Sequence, residues 1–256
     1  MFDLQLFILL ILISLPGTII AIRHQMATLH PKLVAQDPKT PSLPILTSAA
    51  LAQTLLILLA AAALGTSLGP TVGFDAPVLR AIAHVQSPLP HLKQQLPAFL
   101  IAILGALITL LLYYRVFRPW LSPQTVLATE QMRRDLGLPA RILFGGIVEE
   151  IIFRWGLQTF IAWFGLQLVG QATSTVIWTA IILAGIAFGL GHLPGFVASG
   201  QPLTRPVIGT AILLNLFLAI TCGWLLWQFG LFPAILTHAL THLFWWPLEQ
   251  KYTPIP

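Results

Sequence analysis

Six side chains that do chemistry stand where the surrounding sequence is hydrocarbon. Glu149, Glu150 and Arg154 fall in one apolar run, Gly146-Ile-Val-Glu149-Glu150-Ile-Ile-Phe153-Arg154-Trp155. His192 closes a second, Phe188-Gly-Leu-Gly-His192, and His238 and His242 lie in a third, Pro233-Ala-Ile-Leu-Thr-His238-Ala-Leu-Thr-His242. A charged side chain at the centre of a membrane helix costs about 2.5–3.5 kcal/mol on insertion scales, so each needs a partner or a wet cavity. Glu150 and Arg154 stand at i and i+4 with the acid first, the favoured order for a helix ion pair, and are expected to form a structural pair. Glu149 is turned by about 100° from Glu150 on an α-helix and has no partner in its own segment. His238 and His242 are also i and i+4, so both rings point to one side of one helix. A carboxylate and imidazoles around a water are a hydrolytic arrangement. The carboxylate takes a proton from water, and the imidazoles position it, donate to a developing oxyanion or bind a metal. Glu149, His192, His238 and His242 are therefore the candidate catalytic residues. The same four offer an imidazole-rich ligand set for Zn²⁺ or another divalent metal. A metal-free mechanism uses them equally well.

The rest of the chain explains why these residues are conspicuous. Of 256 residues, 57% are hydrophobic and 8% charged, against about 25% charged in ordinary soluble domains. So few charges cannot cover a water-soluble surface, and the chain is too apolar for disorder. Runs of about 20 apolar residues, enough to cross ~30 Å of hydrocarbon, occur near 4–22, 44–64, 97–117, 141–165, 174–191, 207–227 and 229–247. They are continuous rather than alternating, which excludes a membrane β-barrel. The predicted fold is an all-α, polytopic membrane helix bundle of about seven transmembrane helices.

Its expected organisation runs as follows along the chain. Residues 1–120 supply about three N-terminal membrane helices, and 121–140 a cytoplasmic connector. Ser122-Pro123 and Gly137 punctuate a short helix over about 123–136, suited to the membrane surface. Residues 141–247 form a four-helix core, and 248–256 a short cytoplasmic tail. The first segment lacks a basic leader and a cleavage site, so it is expected to be a retained anchor. Gly145, Gly146, Gly189 and Gly191 flank the polar positions and are expected to permit close helix approach. Cys222 is the single cysteine; with Asn215 it is expected to serve packing.

The net charge of +5 reports orientation and lipid headgroups rather than nucleic acid. Ten of the 13 Lys and Arg residues fall on one side of the expected crossings: Arg23, Lys32, Lys39, Arg115, Arg118, Arg133, Arg134, Arg141, Arg205 and Lys251. Only Arg80 and Lys93 fall on the other. This bias predicts an outside N-terminus and a cytoplasmic C-terminus. Glu149 lies about 12 Å into its span from Arg141 at 1.5 Å per residue, and His192 and His242 sit near the same ends of theirs. The set is expected in the cytoplasmic half of the membrane.

At these residues the sequence resembles the CAAX prenyl protease and bacteriocin-processing family of intramembrane endopeptidases. That family is marked by Glu-Glu-x-x-x-Arg, then Phe-x-x-x-His, then His-x-x-x-Asn or Asp, on successive core helices. Here the motifs read Glu149-Glu150-Ile-Ile-Phe-Arg154, Phe188-Gly-Leu-Gly-His192 and His238-Ala-Leu-Thr-His242, within about residues 140–247. His242 departs from the pattern: a neutral imidazole keeps one donor and is a better metal ligand than Asn. Trp155 stands where Gly is common, and is expected to add bulk beside the site.

The resemblance implies hydrolysis of a peptide bond near the cytoplasmic membrane face, through a glutamate-activated water or a metal. It implies a peptide or membrane-protein substrate, lipidated in the CAAX case, inside a lipid bilayer. Immunity and resistance proteins also belong to the family, so a non-catalytic scaffold or immunity protein is the main alternative. An ion-coupled transporter is a second. Against it, the polar residues gather in one half of the membrane instead of forming a path across it.

Overall fold

Hydrocarbon offers no hydrogen-bond partners, so a continuous apolar run must satisfy its backbone internally, as helix. The computed structural model describes residues 2–198 and 200–252, almost all of them helical, with no strand among the described residues. Helix α1 covers Leu4–Gln36, α2 Leu43–Leu68, α3 Pro77–Ala83, α4 Leu89–Gln94 and α5 Leu96–Leu112. Helix α6 covers Pro123–Leu136, and α7 runs through residues 138–169. Helix α8 covers Ser174–Gly191, α9 Leu193–Ala198, α10 Arg205–Phe229 and α11 Leu231–Tyr252.

Five stretches are long and apolar enough to cross a membrane: Leu4–Gln36, Leu43–Val72, Leu96–Trp120, Ser174–Ala198 and Arg205–Phe229. The other two expected crossings, 141–165 and 229–247, lie on α7 and α11. These carry Glu149, Glu150 and Arg154, and His238 and His242, which lower their apolar character. Contacts between distant segments sort the helix ends into two groups. At one end the Arg80 Nε donates to the Asp3 carboxylate at 3.1 Å, the Gln95 side-chain amide donates to Phe229 O at 2.6 Å, and the Leu231 N–H donates to Asp75 O at 3.1 Å. At the other end Lys32 Nζ donates to Ala198 O at 2.9 Å, and Arg133 and Arg141 both reach Glu249. Successive long helices therefore run up and down.

Several boundaries differ from the sequence reading. Helix α1 is 33 residues long, well beyond an apolar run ending at 22, because the polar stretch through Lys32 stays helical. The expected tail does not start at 248. Helix α11 continues to Tyr252 and buries Glu249 completely; residues 253–256 of that tail lie outside the described residues. Trp155 packs away from the polar cluster, against Gly65 and Gly69 of the α2 end, so its bulk fills the α2–α7 contact. Gly191 meets only the Phe153 ring, at an ordinary 3.6 Å, and is not a close approach.

Helix α7 is packed between α1, α2, α8 and α11. The approach to α11 is closest at Gly146, where a Cβ would come within 2.9 Å of the Ala239 Cβ and 3.0 Å of its Cα. At the α6 end of the bundle an ion-pair network closes the structure. Arg118 Nε and the Tyr113 hydroxyl donate to Glu130 Oε1 at 2.9 and 3.0 Å. Arg133 donates to the Tyr113 hydroxyl at 3.1 Å and to Glu249. Its guanidinium also lies 4.6 Å over the Trp245 ring.

Two outcomes follow. Glu249→Ala strands Arg141, which is only 2% exposed. Removing one member of a buried ion pair costs about 3–5 kcal/mol, to be read as a fall in yield and in thermal unfolding temperature in detergent. At the opposite end, burial raises the Asp3 carboxyl. The Leu6 N–H, His84 and Arg80 outweigh it and hold the group below the ordinary carboxylate value. A depressed folded-state value makes this tether fully present above the unfolded pKa and loses it as pH falls through the folded one. Asp3→Asn should lower the unfolding temperature at neutral pH, with the difference vanishing in strong acid.

Candidate active site

The local winding of α7 decides what its two acids can reach. From Arg141 to Glu149 and again from Ile151 to Gln158 the helix is π-wound, with i→i+5 hydrogen bonds and a smaller rotation per residue than an α-helix. Glu149 ends the first of these segments, and Glu150, with α-helical backbone, joins it to the second. Both address one ring of α11. His238 Nδ1 donates to Glu150 Oε1 at 2.8 Å, and His238 Nε2 lies 3.8 Å from Glu149 Oε2.

Glu150 is the sealed member of the pair, with a side chain that is 0% exposed. Its second oxygen faces Arg154 Nε at 3.2 Å, the i,i+4 pair expected from the spacing. The sequence did not signal that the same carboxylate also fixes His238 on another helix. Arg154 finds no other oxygen among the described residues. Its guanidinium instead lies 4.3 Å over the Phe188 ring, a cation–π contact in a dry setting. Glu149 keeps 20% of its side chain exposed. It is the less buried of the two acids.

Phe188 is a shared wall. It is fully buried, with its ring edge-on to His192 at 4.7 Å and to His238 at 5.7 Å between centroids. His192 caps α8 and donates from Nδ1 to Phe188 O at 2.8 Å. In a neutral ring its Nε2 is then an acceptor. Among the described residues His192 makes no hydrogen bond to Glu149 or His238, so it is joined to the cluster through Phe188. His242 stacks on His238, with centroids 5.0 Å apart and planes 28° apart.

Gly145 makes room for both of these rings. A Cβ there would stand 2.5 Å from His242 Nε2 and 3.4 Å from His238 Nε2. The missing side chain leaves both nitrogens facing the same space beside α7. Among the described residues no group of three or more His, Cys, Asp or Glu side chains is close enough to hold a metal ion. Glu149, His192, His238 and His242 do not converge on a point as this donor set would have to, and no step below runs through a metal.

Two residues of the cluster's surroundings lie outside the expected set. Arg141 reads in the sequence as one of many positive charges flanking a span, yet its Nε approaches His242 Nδ1 at 3.4 Å and its Nη1 donates to Glu249 Oε2 at 2.6 Å. Glu249 reads as a tail residue. Its signal is that it follows His242 by seven residues, two helical turns with only ~20° of drift, and so lies on the same face of α11.

The cluster thus joins a partly exposed carboxylate, a sealed carboxylate that orients an imidazole, and three histidines on two further helices. Residues 136–244 match the family described as Type II CAAX prenyl endopeptidase Rce1-like. No curated protein and no solved structure matches the chain. The matched segment contains α7, α8 and α10, most of α11 and every residue of the cluster apart from Glu249, and over this segment the chain is similar to that family of CAAX prenyl endopeptidases.

Proposed function

We propose that the protein is an intramembrane endopeptidase in which Glu149 is the general base. The observation that carries this reading is the contrast between adjacent acids: Glu150 is sealed and doubly engaged, while Glu149 is exposed enough to meet water and faces His238 at 3.8 Å. Glu149 takes a proton from water, whose oxygen forms a bond to the scissile carbonyl carbon. Glu149 then returns that proton to the leaving amine nitrogen as the C–N bond breaks. His192, with Nδ1 committed to Phe188 O, accepts the water's second hydrogen at Nε2 and orients it. His238 and His242 complete the polar wall. Glu150 and Arg154 hold the helix and His238 in register.

The Lys and Arg bias makes the Arg133–Glu249 end cytoplasmic, with the N-terminus outside. The substrate is then a peptide held at the cytoplasmic membrane face, with a lipidated CAAX-type C-terminus as the first probe. No metal is required by these roles.

Glu149→Gln keeps the shape of the side chain and removes the base. Cleavage of a prenylated peptide by purified protein in nanodiscs should fall by about 10²–10⁴-fold with yield and unfolding temperature unchanged. A variant cleaving at the native rate ends the assignment, and a scaffold or immunity protein would keep its cellular phenotype with Glu149→Gln. Strong chelators should leave the rate intact; loss of activity restored by Zn²⁺ would replace the metal-free mechanism. Glu150→Gln breaks a buried pair worth about 3–5 kcal/mol when one partner is removed. It should lower yield and unfolding temperature more than turnover per folded molecule.

A further inference from the structure

We propose that Arg141, anchored by Glu249, is a positioning residue that fixes His242 as the Nε2–H tautomer and so makes it the hydrogen-bond donor of the site. The catalytic half of this inference rests on the endopeptidase reading above; the tautomer half rests on geometry alone.

A guanidinium has only N–H donors and does not lose its proton in proteins. Arg141 Nε, 3.4 Å from His242 Nδ1, can therefore only donate to that nitrogen. The ring must accept at Nδ1, and in its neutral form the proton sits on Nε2. Arg141 is not free to turn away. Its Nη1 is held at 2.6 Å by Glu249 Oε2, whose other oxygen is taken by Arg133, and Glu249 is 0% exposed. The constraint thus runs from α6 through the end of α11 to the start of α7 and back to His242.

His238 is set the opposite way. Glu150 claims its Nδ1–H at 2.8 Å, which leaves Nε2 bare in the neutral ring. The two stacked rings therefore present unlike nitrogens to the space opened by Gly145: an acceptor on His238, 3.8 Å from Glu149, and a donor on His242. A hydrolytic site needs both, one side for water and one for the oxygen that gains negative charge. A free imidazole interconverts between tautomers. Here each ring is fixed by a different buried charge.

The decisive variant is Arg141→Lys, which keeps the cation for Glu249 and removes the Nε donor. The first readout is ¹⁵N NMR of selectively labelled histidine in nanodiscs, with His242 assigned by its loss in His242→Asn. The native protein should show His242 protonated at Nε2, and Arg141→Lys a mixture of tautomers or the Nδ1–H form. Native His242 protonated at Nδ1 overturns the proposal, as does a spectrum indifferent to Arg141→Lys.

The second readout is peptide cleavage across a double-mutant cycle. Losing one oxyanion donor typically costs about 10²–10³ in kcat. Arg141→Lys should lower kcat by roughly 10-fold or more with little change in KM, the tautomer being only partly lost. In the His242→Asn background, whose amide carries its own N–H and has no tautomer, the same change should cost less than about 2-fold. Equal losses in both backgrounds mean that Arg141 acts through folding alone, and overturn the positioning role. Native protein that shows the Nε2–H signal but cleaves nothing retires the endopeptidase reading while upholding the tautomer assignment.

Discussion

A single buried carboxylate, that of Glu150, sets the geometry of the cluster. It accepts the Nδ1–H of His238 from α11 and faces the Arg154 guanidinium of its own helix. Isolated in a dry bundle, either charge would carry a large desolvation cost, so neither is stable there without the other. Satisfying both at once requires α7 and α11 to meet at one separation and one rotation. The glycines at 145 and 146 allow that separation, since a Cβ at either would run into His242 or Ala239. Once Glu150 is fixed, Glu149 has little freedom, and the neighbouring acid is placed beside His238 as a consequence of how the first is buried.

This arrangement divides two chemically identical side chains by environment rather than by sequence. Glu150 has spent its oxygens on His238 and Arg154; Glu149 retains exposure and only a loose contact. The histidines are divided in the same manner. His238 and His192 each give up an Nδ1–H, to a carboxylate and to a backbone carbonyl. His242 meets a guanidinium instead. Three imidazoles that are interchangeable on paper all have Nδ1 engaged, but two donate from it and one meets a donor there, so their Nε2 atoms differ in role.

Much of this was legible in the residues themselves. Continuous apolar runs signalled membrane-crossing helices because a lipid-facing backbone has no other way to bond itself. The i,i+4 offset signalled the Glu150–Arg154 pair because that contact is local. Long-range pairings were not legible. Nothing near Glu150 in sequence announces His238, 88 positions away. The length of α1 was missed because a polar, charged stretch such as that around Lys32 gives no apolar signal even where it stays helical. Glu249 was lost to the same cause: it sits past the apolar run, in a turn that hydropathy reads as tail. The orientation of His192 was not legible either: its Nδ1 is turned to the Phe188 carbonyl, a choice made by the end of α8 and invisible in spacing.

The charged residues around Arg141 explain how so polar a cluster survives at one end of an apolar bundle. Arg118, Glu130, Tyr113, Arg133, Glu249 and Arg141 form one connected set of contacts. In it Glu130 and Glu249 each meet two donors, so no carboxylate is buried with a single partner. Exposed pairs of this kind contribute little, but these acids are fully buried, where leaving a carboxylate unpaired is the costly alternative. The set ties α6 and the last turns of α11 to the start of α7, the same helix that carries the two acids about two turns further on. A disturbance in α6 that displaced Arg133 would thus be felt first at Glu249, then at Arg141, and then at the His242 ring. Helix α6 and the candidate site are in this sense one electrostatic unit, and the helix that reads as a linker is part of what holds the cluster in shape.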